Sequence, residues 1–167
     1  YKRAFRFMSD RLGNKGVIGV VCNNSWIMAN TDDGLRKCLC EEFDSIKIFD
    51  LRGNQNLPTW KEEGDKIFED LAKVGVAIVF FIKNALAKKA ECKIDYYAVP
   101  DCLSRGEKIS LLKTYKTIKS VPLTRLKADK HNDWLSHRQL DFAKFLPMIS
   151  SGNVSGDSIF KDKFIGI

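Results

Sequence analysis

The residues whose types could do chemistry are few: five cysteines, two histidines and one Arg-Gly-Asn triplet. Cys22 follows a strand-like apolar run, where a nucleophile could sit. No histidine lies near it in sequence to act as its base, which argues against a cysteine nucleophile. Cys38-x-Cys40 lacks the two-residue spacing that zinc sites favour. At helical spacing Cys38 falls on the apolar face and Cys40 off it. The odd number and irregular spacing are unlike a disulfide scaffold, so free thiols in a reducing cytoplasm are expected. His131 and His137 do not stand at the spacing of a helical metal pair and read as surface residues, so no metal ligand is assigned. Arg52 and Asn54 flank Gly53 at a strand end, in the kind of loop where parallel sheets bind ligands. A ligand loop and a structural turn both stand open there. Neither a phosphate-cradling glycine loop nor a Gly-x-Ser-x-Gly elbow occurs.

Charge says more than any single side chain. The formal net charge is +7, and the excess concentrates between Lys83 and Lys130. That favours a polyanionic partner such as nucleic acid, although a solvated basic surface has the same composition. No apolar run approaches the roughly 20 residues of a membrane span, and no signal peptide opens the chain. A cytoplasmic protein with no membrane partner is therefore expected. Tyr1 stands directly in a helical pattern, which reads as a cut chain.

With 167 residues there is length enough for one domain with a core. Ala4, Phe5, Met8 and Leu12 recur at helical spacing over residues 1–12. After a glycine turn, Val17 to Cys22 is a short, almost continuous apolar run, the mark of a strand buried on both faces in a parallel sheet. Thr31-Asp32-Asp33 offers a cap for a helix carrying Leu35, Cys38, Leu39 and Phe43. The next strand, Ser45 to Leu51, puts Ile46 and Ile48 on one face and Phe49 and Leu51 on the other. Strand, helix and strand make a βαβ unit, expected in a mostly parallel sheet. Thr59-x-x-Glu62 opens an ambiguous helical segment through Trp60, Ile67, Phe68 and Leu71, which Gly64 weakens. Val74 to Ile82 is a third strand, and Lys93 to Val99 a fourth with one exposed face. Ser104-x-x-Glu107 is a better capping box, leading into Leu111, Leu112 and Tyr115. Beyond Ser120 the pattern thins, with Trp134, Leu135, Leu140, Phe142 and Phe145 as apolar anchors.

Four segments in order resemble one family. They are Gly16-Val-Ile-Gly-Val-Val-Cys-Asn-Asn-Ser-Trp26, Leu35-Arg-Lys-Cys-Leu39, Ile46-Lys-Ile-Phe-Asp-Leu-Arg-Gly-Asn54, and Glu63-Gly-Asp-Lys-Ile-Phe68 leading into Val76-Ala-Ile-Val-Phe-Phe-Ile-Lys83. They look like the later motifs of the DNA adenine methyltransferases in single-chain restriction-modification enzymes of the type ISP kind. Cys102-Leu-Ser-Arg-Gly-Glu-Lys108 and Asp133-Trp-Leu135 have counterparts there as well. The resemblance implies an α/β fold: the C-terminal half of a Rossmann-like, S-adenosylmethionine-dependent methyltransferase sheet over residues 1–90. Further α+β elements over 91–167 would lead toward the target-recognition region. In the family order the Val76–Ile82 strand lies between the other two and runs antiparallel.

The resemblance also implies roles. The parent would be a site-specific enzyme acting on double-stranded DNA, and this stretch alone would be inactive. The family's Asp/Gly-rich motif for S-adenosylmethionine and its Asn-Pro-Pro-Tyr motif are both absent, so no catalytic residue is assigned here. Phe68 occupies the position of the aromatic that stacks on a flipped adenine. Relatives continue with a Gly/Ser-rich stretch where this chain has Glu69-Asp70-Leu71-Ala72-Lys73, so packing with Leu71 on a short helix is the competing role. Trp26 stands near a pocket-lining position, with core packing as its rival. Arg52, Asn54, Lys88 and Lys89 are the candidate DNA contacts. A non-catalytic nucleic-acid-binding module is the alternative function, and it rests on charge alone.

Overall fold

A computed structural model describes residues 2–68, 73–84, 91–135 and 145. The chain divides into two compact units, 1–136 and 137–167. Within the second unit only Phe145 is described, and its side chain is exposed.

The first unit is a five-stranded sheet with helices on its faces. Helix α1 (Lys2–Arg11) leads into β1 (Lys15–Asn23). A short helix α2 (Ser25–Met28) and a 3-10 turn precede α3 (Asp33–Glu42) and β2 (Ser45–Asp50). One helical turn, α4 (Trp60–Glu63), stands before β3 (Val76–Asn84). Then come β4 (Lys93–Ala98), α5 (Arg105–Tyr115) and β5 (Thr124–Leu126). The strand order is β1-β3-β2-β4-β5. Strand β3 runs antiparallel to both neighbours, with Val17 opposite Ile82 and Ile46 opposite Phe81. Strand β4 lies parallel to β2, and β5 antiparallel to β4. No helix among the described residues is long and apolar enough to cross a membrane.

The alternation in β2 separates two cores. Ile46 and Ile48 join Phe5, Trp26, Phe43 and Phe81 on one face. Phe81 is the hub, with ring centroids 5.2 Å from Phe5 and 5.1 Å from Phe43. Phe49 and Leu51 join Ile67, Val99 and Val121 on the other face, under Tyr115 of α5. Helix α5 opens with a complete capping box. Glu107 N donates to Ser104 Oγ, and Ser104 N donates to the Glu107 carboxylate at 2.8 Å.

Several expectations are corrected. The sheet is mostly antiparallel. Strands β1 and β2 do point the same way, with antiparallel β3 between them, and this is the order that the resemblance implied. Strand β1 is not buried on both faces: Val17 is 59% and Val21 58% exposed. Among the described residues it pairs with β3 alone, and its Ile18, Val20 and Cys22 side packs on the first core. Strand β4 lacks the expected open face, because Ile94 and Tyr96 pack on one core and Tyr97 on the other. The thiols of α3 are reversed. Cys38 is exposed, while Cys40 packs on the core at the spacing of Arg36, Leu39 and Phe43. Among the described residues after Thr59 the helix is the single turn Trp60–Glu63, and the Thr59 side chain makes no cap bond.

Across β2, β4 and β5 a charged triplet is in register. Lys47 stands opposite Asp95, and Asp95 opposite Arg125. Both cations bond the carboxylate, at 3.1 and 2.5 Å. Burial alone would raise the Asp95 pKa, but Arg125 and Lys47 hold it below the ordinary value. A depressed folded pKa means that the unfolded chain binds the proton more readily. The stabilisation is therefore present above about pH 4 and lost as pH falls through the folded pKa. Urea unfolding of Asp95→Asn should show a shallower acid loss below about pH 4 than the parent chain. Parallel acid limbs would remove Asp95 from the balance.

Candidate functional site

One end of the sheet gathers nearly every singled-out residue. Strands β1, β2 and β4 finish there, and antiparallel β3 begins there. Backbone bonds lace the strand ends together. Asn24 N donates to Gly75 O at 3.1 Å, Leu51 N to Val76 O at 2.9 Å, and Val76 N to Arg52 O at 3.0 Å.

At the centre is Asp50, the last residue of β2, only 2% exposed. Its Oδ1 accepts from Asn24 Nδ2 at 2.9 Å and from Arg52 N at 2.8 Å. Its Oδ2 accepts from the Tyr96 hydroxyl at 2.9 Å. Burial pushes the Asp50 pKa up, against these three bonds that pull it down. Burial and the neighbouring Asp50 carboxylate push the Tyr96 phenol far above its ordinary value, so it stays a donor. Asn24 in turn fits against Gly75, where any Cβ would run into its amide.

A second knot holds the loop before β3. Glu63 is buried. Its carboxylate accepts from Arg52 Nε at 3.4 Å and Asn54 N at 3.1 Å. Arg52 also pairs with Asp101. From α5, fully buried Lys108 donates to the carbonyls of Glu63 and Asp65, at 2.8 and 2.7 Å. Burial lowers the Lys108 pKa. Arg105 Nε donates to Ile67 O at 2.8 Å. Gly64 takes φ +66° and ψ −164°, a region open essentially to glycine, and a Cβ there would come within 2.8 Å of Leu103 N.

This clamp decides where Phe68 goes. Ile67 is 8% exposed in the second core, its carbonyl held by Arg105. The next side chain, Phe68, is 43% exposed. It lines a cavity of about 220 Å³ together with Val21, Cys22, Asn23, Lys66 and Val74. That is below the roughly 300–1,000 Å³ of drug-sized sites and suits one planar ring. The Cys22 thiol has its pKa raised by burial, which keeps it in the poorly nucleophilic protonated form.

The other sequence-nominated residues are placed differently. Trp26 is 0% exposed and stacks edge-on against Phe5 and Trp134 in the first core, so it takes the packing role and lines no open surface. Asn54 is buried, and its Oδ1 accepts from Asn56 N at 3.1 Å. Arg52, with φ +56°, is held by Glu63 and Asp101. Those bonds are those of a built turn. Lys88, Lys89, His137 and the segment 69–72 lie outside the described residues. Asp50, Glu63, Tyr96 and Lys108 were missed. Lys108 left one trace: it stands three and four residues before Leu111 and Leu112, at a position facing the core.

The chain resembles solved structures, among them the following three. It matches a nuclease-deletion mutant of the type ISP restriction-modification enzyme LlaGI, in complex with a DNA substrate mimic. The TM-score is 0.77 and the identity 32%, over 90% of this chain and 12% of that one. The DrdV–DNA complex, solved by cryo-electron microscopy, gives a TM-score of 0.76 and 36% identity over 89% and 14% of the two chains. The ATP-dependent type ISP restriction-modification enzyme LlaBIII, bound to DNA, gives 0.80 and 29% over 93% and 10%. The chain is thus similar to part of two type ISP restriction-modification enzymes and part of DrdV, and spans 10–14% of their length. No protein-family model and no curated protein matches it.

Substitutions at two positions test the scaffold by urea unfolding. Asp50→Ala strands three buried donors and should cost about 3 kcal/mol or more. Asp50→Asn keeps an oxygen for Asn24 and Arg52 and can donate to Tyr96, so its loss should be about 1 kcal/mol. Equal losses would show that an amide of the same volume keeps none of the carboxylate's bonds. Gly64→Ala should destabilise by about 3 kcal/mol, from the backbone conformation and the clash together. A neutral Gly64→Ala would mean that the loop has another arrangement available.

Proposed function

We propose that the chain is the part of a DNA adenine methyltransferase, within a restriction-modification enzyme, that carries one wall of the flipped-adenine pocket. The observation behind this reading is Phe68: an exposed ring at a small cavity beside the end of β1. The similarity to parts of two type ISP restriction-modification enzymes solved with DNA or a DNA mimic supports it. To methylate an adenine inside a duplex, the base must leave the stack and find another aromatic face. Ile67 locked inward and Phe68 turned outward would supply that face at a fixed place.

The methyl donor in this reading is S-adenosylmethionine, held by other regions of the parent chain. The residues here do not fit it. Asp50 is sealed and accepts three bonds within the chain, so it is not open to a donor's ribose or ammonium. Arg52 and Asn54 shape the rim, while Lys113, Lys116 and Lys119, all exposed, would meet DNA phosphates.

The test uses the full enzyme carrying this segment, and a fluorescent adenine analogue at the target base. Phe68→Ala should weaken the flipped-base complex by about 1–3 kcal/mol, the worth of one stacked base. Phe68→Trp should keep most of it, since either ring offers a π-face. Stability should change by less than about 1 kcal/mol in both, because the ring is half out of the protein. If Phe68→Ala unfolds the domain while the folded fraction flips and methylates normally, Phe68 is a packing residue and the reading fails.

A further inference from the structure

We propose that Asn23 reads the edge of the base that Phe68 stacks, a role that rests on the stacking reading above. Its amide N–H groups donate to an unprotonated ring nitrogen of the flipped adenine. Asn23 is the last residue of β1 and stands opposite Val76 of β3. Side chains alternate along a strand. Ile18, Val20 and Cys22 take the side of the first core, so Val21 and Asn23 share the other side. Both line the cavity of about 220 Å³ together with Phe68.

One hydrogen bond fixes how the Asn23 amide is turned. Its Oδ1 accepts from Ser25 N at 2.6 Å. A backbone N–H can bond only the oxygen of an amide, so the nitrogen faces the other way. The Nδ2 group carries two N–H donors, and neither has an acceptor among the described residues. The side chain is half-buried, so these donors are open to what enters the cavity. The backbone beside it is held as well. Asn24 N donates to Gly75 O at 3.1 Å, and the Asn24 side chain reaches Asp50 at 2.9 Å.

The lining selects the chemistry of the guest. Apart from Asn23, Cys22 and Lys66, the lining residues among those described are apolar, and none is a carboxylate. An aromatic face with a donor beside it suits a flat ring that carries acceptors at its rim. Adenine is such a ring: N1, N3 and N7 are all unprotonated. Guanine and thymine carry a ring N–H on the Watson–Crick edge, which would set donor against donor there.

The test uses the full enzyme carrying this segment and duplexes with adenine, 1-deazaadenine, 3-deazaadenine or 7-deazaadenine at the target. Affinity is read by fluorescence anisotropy. Asn23→Asp keeps an oxygen for the Ser25 N–H and removes the donors. It should weaken the adenine complex about tenfold, the worth of one hydrogen bond, and leave the urea midpoint of the protein in place. Comparing parent and variant on one duplex cancels the cost of unpairing that base. On one of the deaza analogues the parent's advantage should vanish, because the acceptor is already gone, and that analogue identifies the nitrogen. An equal affinity of parent and variant for the adenine duplex would overturn the proposal. So would the same ratio on adenine and on every analogue. Phe68→Ala in the same assay separates the two roles. If it weakens the adenine complex while Asn23→Asp does not, stacking stands and the Asn23 role fails. If Phe68→Ala has no effect, the stacking reading fails, and an advantage lost on one analogue would still place Asn23 on the base.

Discussion

A single buried carboxylate holds the working end of the sheet together. Asp50 reaches three separate pieces of chain: Asn24 after β1, Arg52 at the turn after β2, and Tyr96 on β4. Sealing a carboxylate from water costs several kcal/mol, so the site exists only if the bonds it receives offset that cost. Three short bonds from neutral donors achieve this without a cation in direct contact. An ion pair tolerates sliding, whereas an amide, a backbone N–H and a phenol each demand a direction. Asp50 therefore fixes how the ends of β1, β2 and β4 stand relative to one another, and Asn24 passes that on to Gly75 at the start of β3.

The loop before β3 depends on that frame. Arg52 is presented by a left-handed turn whose N–H is held by Asp50, and its guanidinium reaches Glu63. Glu63 also takes the Asn54 N–H, and Lys108 caps the carbonyls of Glu63 and Asp65. Each charge in this knot has a partner, which is the condition for burying it. With Gly64 providing a conformation that other residues avoid, the chain is turned so that Ile67 enters the core and Phe68 does not. The exposure of Phe68 is thus the outcome of a fully bonded support, which is what the proposed stacking role would need to act without a reordering cost.

Much of the fold was legible because it rests on local signals. Strand-length apolar runs located β1, β2 and β3, and the Ser104–Glu107 box located the start of α5. The parity of Ile46, Ile48, Phe49 and Leu51 named the two cores before either was seen. What failed was non-local. Strand direction and insertion order leave no mark in a strand's own residues, so the pairing of β1 with β3, and the open face at Val17 and Val21, were invisible to periodicity. The order β1-β3-β2 came from the resemblance, not from pattern. The site was half legible for the same reason. Arg52, Gly53, Asn54 and Phe68 were singled out by position. Asp50, Glu63 and Lys108 looked like ordinary charges, because burial is a property of the assembled chain.

That difference changes how the positive charge should be read. The formal excess counts every lysine and arginine alike, yet several are consumed inside the protein. Arg36 is fully buried and bonded to Asp133 and to the Trp26, Ala29 and Asn132 carbonyls. Lys108 faces two carbonyls and Arg52 two carboxylates. Lys47 and Arg125 share Asp95. These cations organise the fold and have little field left to offer a polyanion. The charge available to a phosphate backbone is the exposed remainder, such as Lys113, Lys116 and Lys119 on and after α5. A basic composition therefore supports a nucleic-acid partner only to the extent that its cations remain at the surface, and here the division runs between the residues that build the Phe68 loop and those beside it.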